Sequence, residues 1–218
     1  TDADAQAQGL ADTVAARLRE GLAARNGAWL AVPGGETPRK FLEMLAHWKL
    51  DWPRVNVTLT DERLVPADDA RLSARLLREA LLDRVPAAFV PLVDSRSGKM
   101  NVSAPAELPR TFDVVVLGMG ADGHCASLFA DGENIAAALR ADSGVPVMPM
   151  RSPSVPEPRV TLTLPALVAT RAMFVLIRGV EKRRTLEAAL RGTEPYAQAP
   201  IRAVLEHAAV APQVYWSP

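Results

Sequence analysis

Short apolar runs, most of them broken by glycine, proline or a charged turn and followed by residues at helical spacing, recur along the chain. Leu10, Val14, Leu18 and Leu22 return every four residues with Arg17, Arg19 and Glu20 between them, which predicts an amphipathic helix ending near Asn26-Gly27. Residues 28–32 then read as a strand running into Pro33-Gly34-Gly35-Glu36-Thr37-Pro38. Phe41, Leu42 and Leu45 predict a helix after it, with Thr37 as N-cap and Pro38 at the first helical position.

The same strand, turn and helix unit returns. Residues 55–60 alternate as a strand that Asp61-Glu62-Arg63 closes, and Leu72, Leu76, Leu77 and Leu81 mark a helix beyond a polar loop. Proline, serine and glycine break any period between 85 and 109, which reads as loops with a short strand at 89–93. Residues 112–117 have the β-branched content of a buried strand, and Gly118, Gly120 and Gly123 interrupt it. Residues 126–129 are expected to open a short helix. Further on, 135–139 looks helical and 145–150 extended, 153–158 is a proline-rich loop, and 159–164 is a strand or extended lead-in that Pro165 ends. Residues 172–178 predict a buried strand, Gly179 a turn, 182–190 and 201–207 helices, and 213–216 a last strand. This alternation implies an α/β fold with a mostly parallel sheet, helices on both faces and loops collected at one edge.

Length and composition narrow the class. The chain's 218 residues suit one domain over 1–218, perhaps carrying a subdomain, and 49% hydrophobic with 23% charged residues is an ordinary globular profile. Twenty-five basic side chains balance 25 acidic ones, which argues against a nucleic-acid or membrane-surface binder while leaving room for a local basic pocket. No apolar stretch reaches membrane-spanning length, no signal-peptide pattern opens the sequence, and one cysteine, Cys125, forms no intramolecular disulfide. A cytoplasmic location is the expectation. Oligomeric state is open, and a monomer is compatible with the pattern.

The glycine turns carry the candidate chemistry. Gly118-Met119-Gly120-Ala121-Asp122-Gly123 has the spacing of a dinucleotide-binding loop, but the second strand ending in an acid that such a site needs is missing, because the residues before Asp142 look helical. Gly34, Gly35 and Thr37 make a better anion site, since consecutive backbone N–H groups, a hydroxyl and a helix start can converge on a phosphate; a plain tight turn is the alternative. Arg159 and Lys182 can add positive charge there, or be solvated surface residues. His124 follows the central glycines, whereas His47 and His207 sit near helix ends and read as surface residues. Three histidines and one cysteine show no metal-ligand spacing, so no metal is expected. Cys125 reads as a small buried thiol. The role left for His124 is general base toward water, with Asp122 or a backbone group setting its tautomer.

Three blocks together, VPGGETP at 32–38, DERLVPADDARLS at 61–73 and LGMGADGHCASLF at 117–129, closely resemble 6-phosphogluconolactonases. RVTLTLPAL at 159–167 and the turn at 179–182 extend the likeness over nearly the whole chain. The resemblance implies a Rossmann-like sheet of the sugar-phosphate isomerase superfamily and hydrolysis of 6-phosphoglucono-1,5-lactone in the oxidative pentose phosphate pathway, with no metal and no redox cofactor. It implies His124 as the base, Gly34, Gly35 and Thr37 as the phosphate loop, Arg159 and Lys182 as phosphate partners, and Asp61 and Arg63 along the sugar site. Glucosamine-6-phosphate deaminases share a similar DGH segment but resemble DGHIAFNEP, with a glutamate five residues after the histidine. Phe129 stands at that position, which favours lactone hydrolysis over amino-sugar isomerisation. The alternatives are a deaminase-like isomerase and a non-catalytic sugar-phosphate-binding module. Regulators of the latter kind usually add a DNA-binding segment, and no basic helix-turn-helix precedes Leu30.

Overall fold

The computed structural model describes residues 2–93 and 104–218. The chain opens with α1 (Ala3–Arg25), whose N-cap Asp2 accepts a hydrogen bond from the Ala5 N–H at 2.8 Å. Leu10, Val14, Leu18 and Leu22 are buried as their spacing predicts, and the helix stops at Asn26, which adopts the left-handed conformation with φ 57°. The helix begins earlier than its leucine stripe, because Ala7 and Ala11 extend the same buried face.

Then follow β1 (Ala28–Val32), α2 (Arg39–Leu45), β2 (Val55–Leu59), β3 (Asp61–Arg63) and α3 (Ser73–Leu77), which continues as a π-helical turn over Arg78–Leu82. Next come β4 (Ala88–Phe89), β5 (Val114–Leu117), α4 (Ile135–Ala138), β6 (Val147–Met150), β7 (Arg159–Leu162) and α5 (Leu164–Val168). The chain ends with β8 (Met173–Arg178), α6 (Val180–Arg191), α7 (Pro200–His207) and β9 (Gln213–Ser217). No helix among the described residues is long and apolar enough to cross a membrane.

Six strands form a sheet in the order β4-β2-β1-β5-β8-β9, and every neighbouring pair is parallel. Its central strands are buried at almost every position, with Leu30, Val32, Val114, Val116, Phe174 and Ile177 fully covered. Burying a side chain of this size contributes about 1.5–3 kcal/mol, which is why these strands read as apolar runs. From β1 the chain builds outward to β2 and β4, then returns to place β5 on the other side of β1. The strand order therefore reverses between β1 and β5, and the loops leaving their carboxyl ends part in opposite directions and leave a crevice.

Several local expectations change. Asp61-Glu62-Arg63 does not merely close β2; it is a strand of a second, three-stranded antiparallel sheet in the order β3-β7-β6. Pro165 ends the extended segment and also sits in the first turn of α5, where its missing N–H costs nothing. Thr37 makes no capping hydrogen bond, and the residue preceding α2 is Pro38. The strand expected at 89–93 is only Ala88–Phe89, paired with β2. Part of the loop reading for 85–109 falls on 94–103, outside the described residues.

Candidate active site

The crevice between β1 and β5 is lined by two glycine loops. After β5, the Gly120 N–H donates to the His124 carbonyl at 2.9 Å and the Gly123 N–H to the Gly120 carbonyl at 3.1 Å, closing a tight loop. A Cβ on Gly120 would fall on the His124 imidazole and the Asp122 carboxylate, so this position has room for hydrogen alone. Gly123 has φ 84°, and a Cβ there would stand 2.7 Å from the Cβ of Ala199. The loop is pinned from outside by the Thr185 hydroxyl, which donates to the Ala121 carbonyl at 2.9 Å, and by the Ile201 N–H, which donates to the Gly123 carbonyl at 3.1 Å.

Inside this frame His124 Nδ1 lies 2.6 Å from Asp122 Oδ1. That hydrogen bond holds the Asp122 carboxyl below its usual range, with the imidazole's charge adding to the effect and partial burial opposing it. With Nδ1 donating to the carboxylate, the basic lone pair is on Nε2. The Phe129 ring lies against the imidazole, with centroids 4.7 Å apart and planes inclined at 47°. His47 and His207 are exposed.

Residues 126–129 do not begin a helix. Ala126 takes φ 49° and the Leu128 N–H donates to the Cys125 carbonyl at 3.0 Å, so the chain makes a turn instead. The turn buries Cys125, and burial pushes its thiol pKa well up, away from nucleophile chemistry. It also aims Ser127 at the second sheet, where its hydroxyl donates to Asp61 Oδ2 at 2.6 Å.

The second sheet supplies the other wall. Asp61 and Arg63 alternate on β3, and the register sets Arg63 opposite Arg159 on β7. Arg159 is buried; its Nη2 reaches Glu157 only at 3.5 Å and its Nε has no partner among the described residues. Burial, followed by the charge of Arg63, lowers the pKa of its guanidinium. A guanidinium held out of water beside another cation is costly unless an anion completes it. Lys182, in the first turn of α6, makes no ion pair among the described residues.

These pieces meet in one cavity of about 380 Å³. Gly34, Gly35, Thr37, Asp61, Arg63, His124, Arg159 and Lys182 all line it, together with Ser73, Ser127 and Phe129. The structure thus brings every candidate site residue to one place except Asp122, which reaches it through His124. That volume is in the range of small-molecule sites, and the combination suits an anionic ligand with a reacting centre near an imidazole. Among the described residues no group of three or more His, Cys, Asp or Glu could hold a metal ion. The sequence pattern does not mark Ser127, which lies in a segment with helical propensity, or Ser73, which follows a polar loop, as cavity residues.

The family described as glucosamine-6-phosphate isomerases/6-phosphogluconolactonase matches residues 1–216. The chain belongs to this family. It is 41% identical to the 6-phosphogluconolactonase of Rhizobium meliloti over 222 residues, covering 98% of this chain and 95% of that one. It is 40% identical to the 6-phosphogluconolactonase of Pseudomonas aeruginosa, covering 98% and 91%. Among solved structures, a 6-phosphogluconolactonase from Shewanella baltica superposes with a TM-score of 0.86 at 34% identity, covering 100% of this chain and 96% of that one. The family's α/β architecture is the one described above, with the isomerase and lactonase branches left to be told apart at the site.

Proposed function

We propose that the protein hydrolyses 6-phosphoglucono-1,5-lactone to 6-phosphogluconate, the lactone-opening step of the oxidative pentose phosphate pathway. The observation that carries this reading is the shared cavity: a glycine loop, Arg63, Arg159 and Lys182 gather positive charge and N–H donors in the same space that His124 lines. The names of the relatives support the same chemistry.

In this scheme the loop at 34–37, Arg159 and Lys182 hold the phosphate, and Asp61 and Arg63 line the path of the sugar. His124 Nε2 takes a proton from water as the oxygen attacks the C1 carbonyl. Asp122 keeps Nδ1 protonated and stabilises the imidazolium. The tetrahedral adduct collapses with cleavage of the C1–O5 bond, and the proton held by His124 passes to O5. The product carboxylic acid then ionises, releasing one proton per turnover.

An amino-sugar isomerase of the same family calls for a carboxylate where Phe129 stands. Here that side chain is an apolar ring packed on the imidazole, so no carboxylate stands there to share the proton transfers of amino-sugar ring opening. Proton release on adding fresh 6-phosphogluconolactone, corrected for spontaneous hydrolysis, tests the reading. No release above the uncatalysed rate, or conversion of glucosamine 6-phosphate instead, overturns it.

A further inference from the structure

Alternation along β3 turns Asp61 and Arg63 toward the cavity and Glu62 away from it, into the protein, where it is 5% exposed. A buried carboxylate needs partners, and Glu62 finds them in the main chain. Its Oε1 accepts from the N–H groups of Arg63 and Ser73, each at 2.8 Å, and its Oε2 accepts from the N–H of Ala74 at 2.7 Å. Ser73 and Ala74 open α3, so one side chain ties the start of that helix to the strand bearing Arg63 and closes the intervening loop.

That tie reaches the anion loop. Ser73 lines the cavity and packs on Gly34 so closely that a Cβ on Gly34 would stand 2.6 Å from the Cβ of Ser73. The position of the glycine loop is therefore set by Ser73, the position of Ser73 by Glu62, and the backbone of Arg63 by the same carboxylate. We infer that Glu62 is a positioning residue for the phosphate end of the site: it touches no ligand, and it sets the spacing between Arg63 and the Gly34-Gly35 loop. This rests on reading the cavity as a sugar-phosphate site. Burial pushes the Glu62 carboxyl above its usual range while the three N–H donors oppose that shift, so the group is kept at a cost that its main-chain bonds offset in part.

The test is E62Q. A glutamine can keep the Arg63 and Ser73 bonds, but its NH₂ then faces the Ala74 N–H, donor against donor. Loss of one well-placed charged hydrogen bond predicts about tenfold weaker binding of 6-phosphogluconate by calorimetry, with turnover at saturating lactone little changed. The sign is diagnostic. Removing a negative charge behind two arginines would by itself tighten anion binding, and simple destabilisation would lower the active fraction without moving Kd. Unchanged or tighter binding overturns the inference. Should E62Q not fold, E62D keeps the charge but withdraws it by one methylene, and the same weakening is expected. If neither variant folds, Glu62 is a folding determinant and the positioning role is overturned. Failure of the wild-type protein to bind 6-phosphogluconate would instead count against the proposed function.

Discussion

Gly120 occupies a spot from which any larger residue would strike both the imidazole of His124 and the carboxylate of Asp122. Space for the dyad is made by leaving out a side chain. Gly120→Ala is therefore expected to push the ring aside and cut turnover by about a hundredfold, the order of loss for a displacement of roughly 1 Å. Steady-state kinetics beside a thermal melt will check this, and near-normal turnover in a folded variant contradicts it.

Removing the base itself gives a second expectation. His124→Asn and His124→Ala should lower kcat by ~10²–10⁴-fold with modest loss of 6-phosphogluconate affinity, the contribution of a positioned general base. If both variants turn over normally, His124 has no part in the mechanism.

Lys182 projects into the cavity without an ion-pair partner among the described residues. Lys182→Ala should weaken 6-phosphogluconate by roughly tenfold or more, the worth of a charge-assisted hydrogen bond, and leave the chemical step largely intact. An unchanged Kd would remove it from the phosphate site.

The depressed Asp122 carboxyl gives a pH-dependent test with a definite sign. A group whose folded pKa lies below its unfolded value adds stability above the ordinary aspartate value of about 4, and loses it as the pH falls through the depressed one. The difference in Tm between wild type and Asp122→Asn should thus be largest near neutrality and shrink below about pH 4. A difference that is flat across pH 3–7, or grows in acid, contradicts the Asp122–His124 contact.

The parallel sheet was legible because strands buried on both faces must be apolar throughout, as in Val114–Leu117, and because glycine marks where the chain leaves β1, β5 and β8. The antiparallel sheet was not. β3 is Asp61-Glu62-Arg63, all charged, and no hydropathy pattern announces a strand whose sides face a polar cavity and a ring of backbone donors. Its one available signal was alternation itself: if two charged residues flank a third on a strand, the middle one points the other way and needs a buried partner. Ser127 was hidden for another reason. Ala126 takes a left-handed conformation that a non-glycine residue seldom adopts, so local propensity suggested a helix where tertiary packing makes a turn. Gly34, Gly35, Thr37, His124 and Lys182 were visible because they follow or form glycine turns, and Asp61, Arg63 and Arg159 through the blocks that carried the resemblance.

The antiparallel ribbon also ties the cavity wall to parts of the chain that lie far apart in sequence. Asp61 meets Ser127 across 66 positions of chain, and the Ser127 N–H meets Thr161 across another 34, so this wall exists only once distant segments have docked. Contacts that far apart in sequence form slowly. The parallel sheet closes contacts just as distant, with Leu30 against Val114 and the Trp29 N–H on Asp113, so native tryptophan fluorescence and lactone opening should return together in one slow phase.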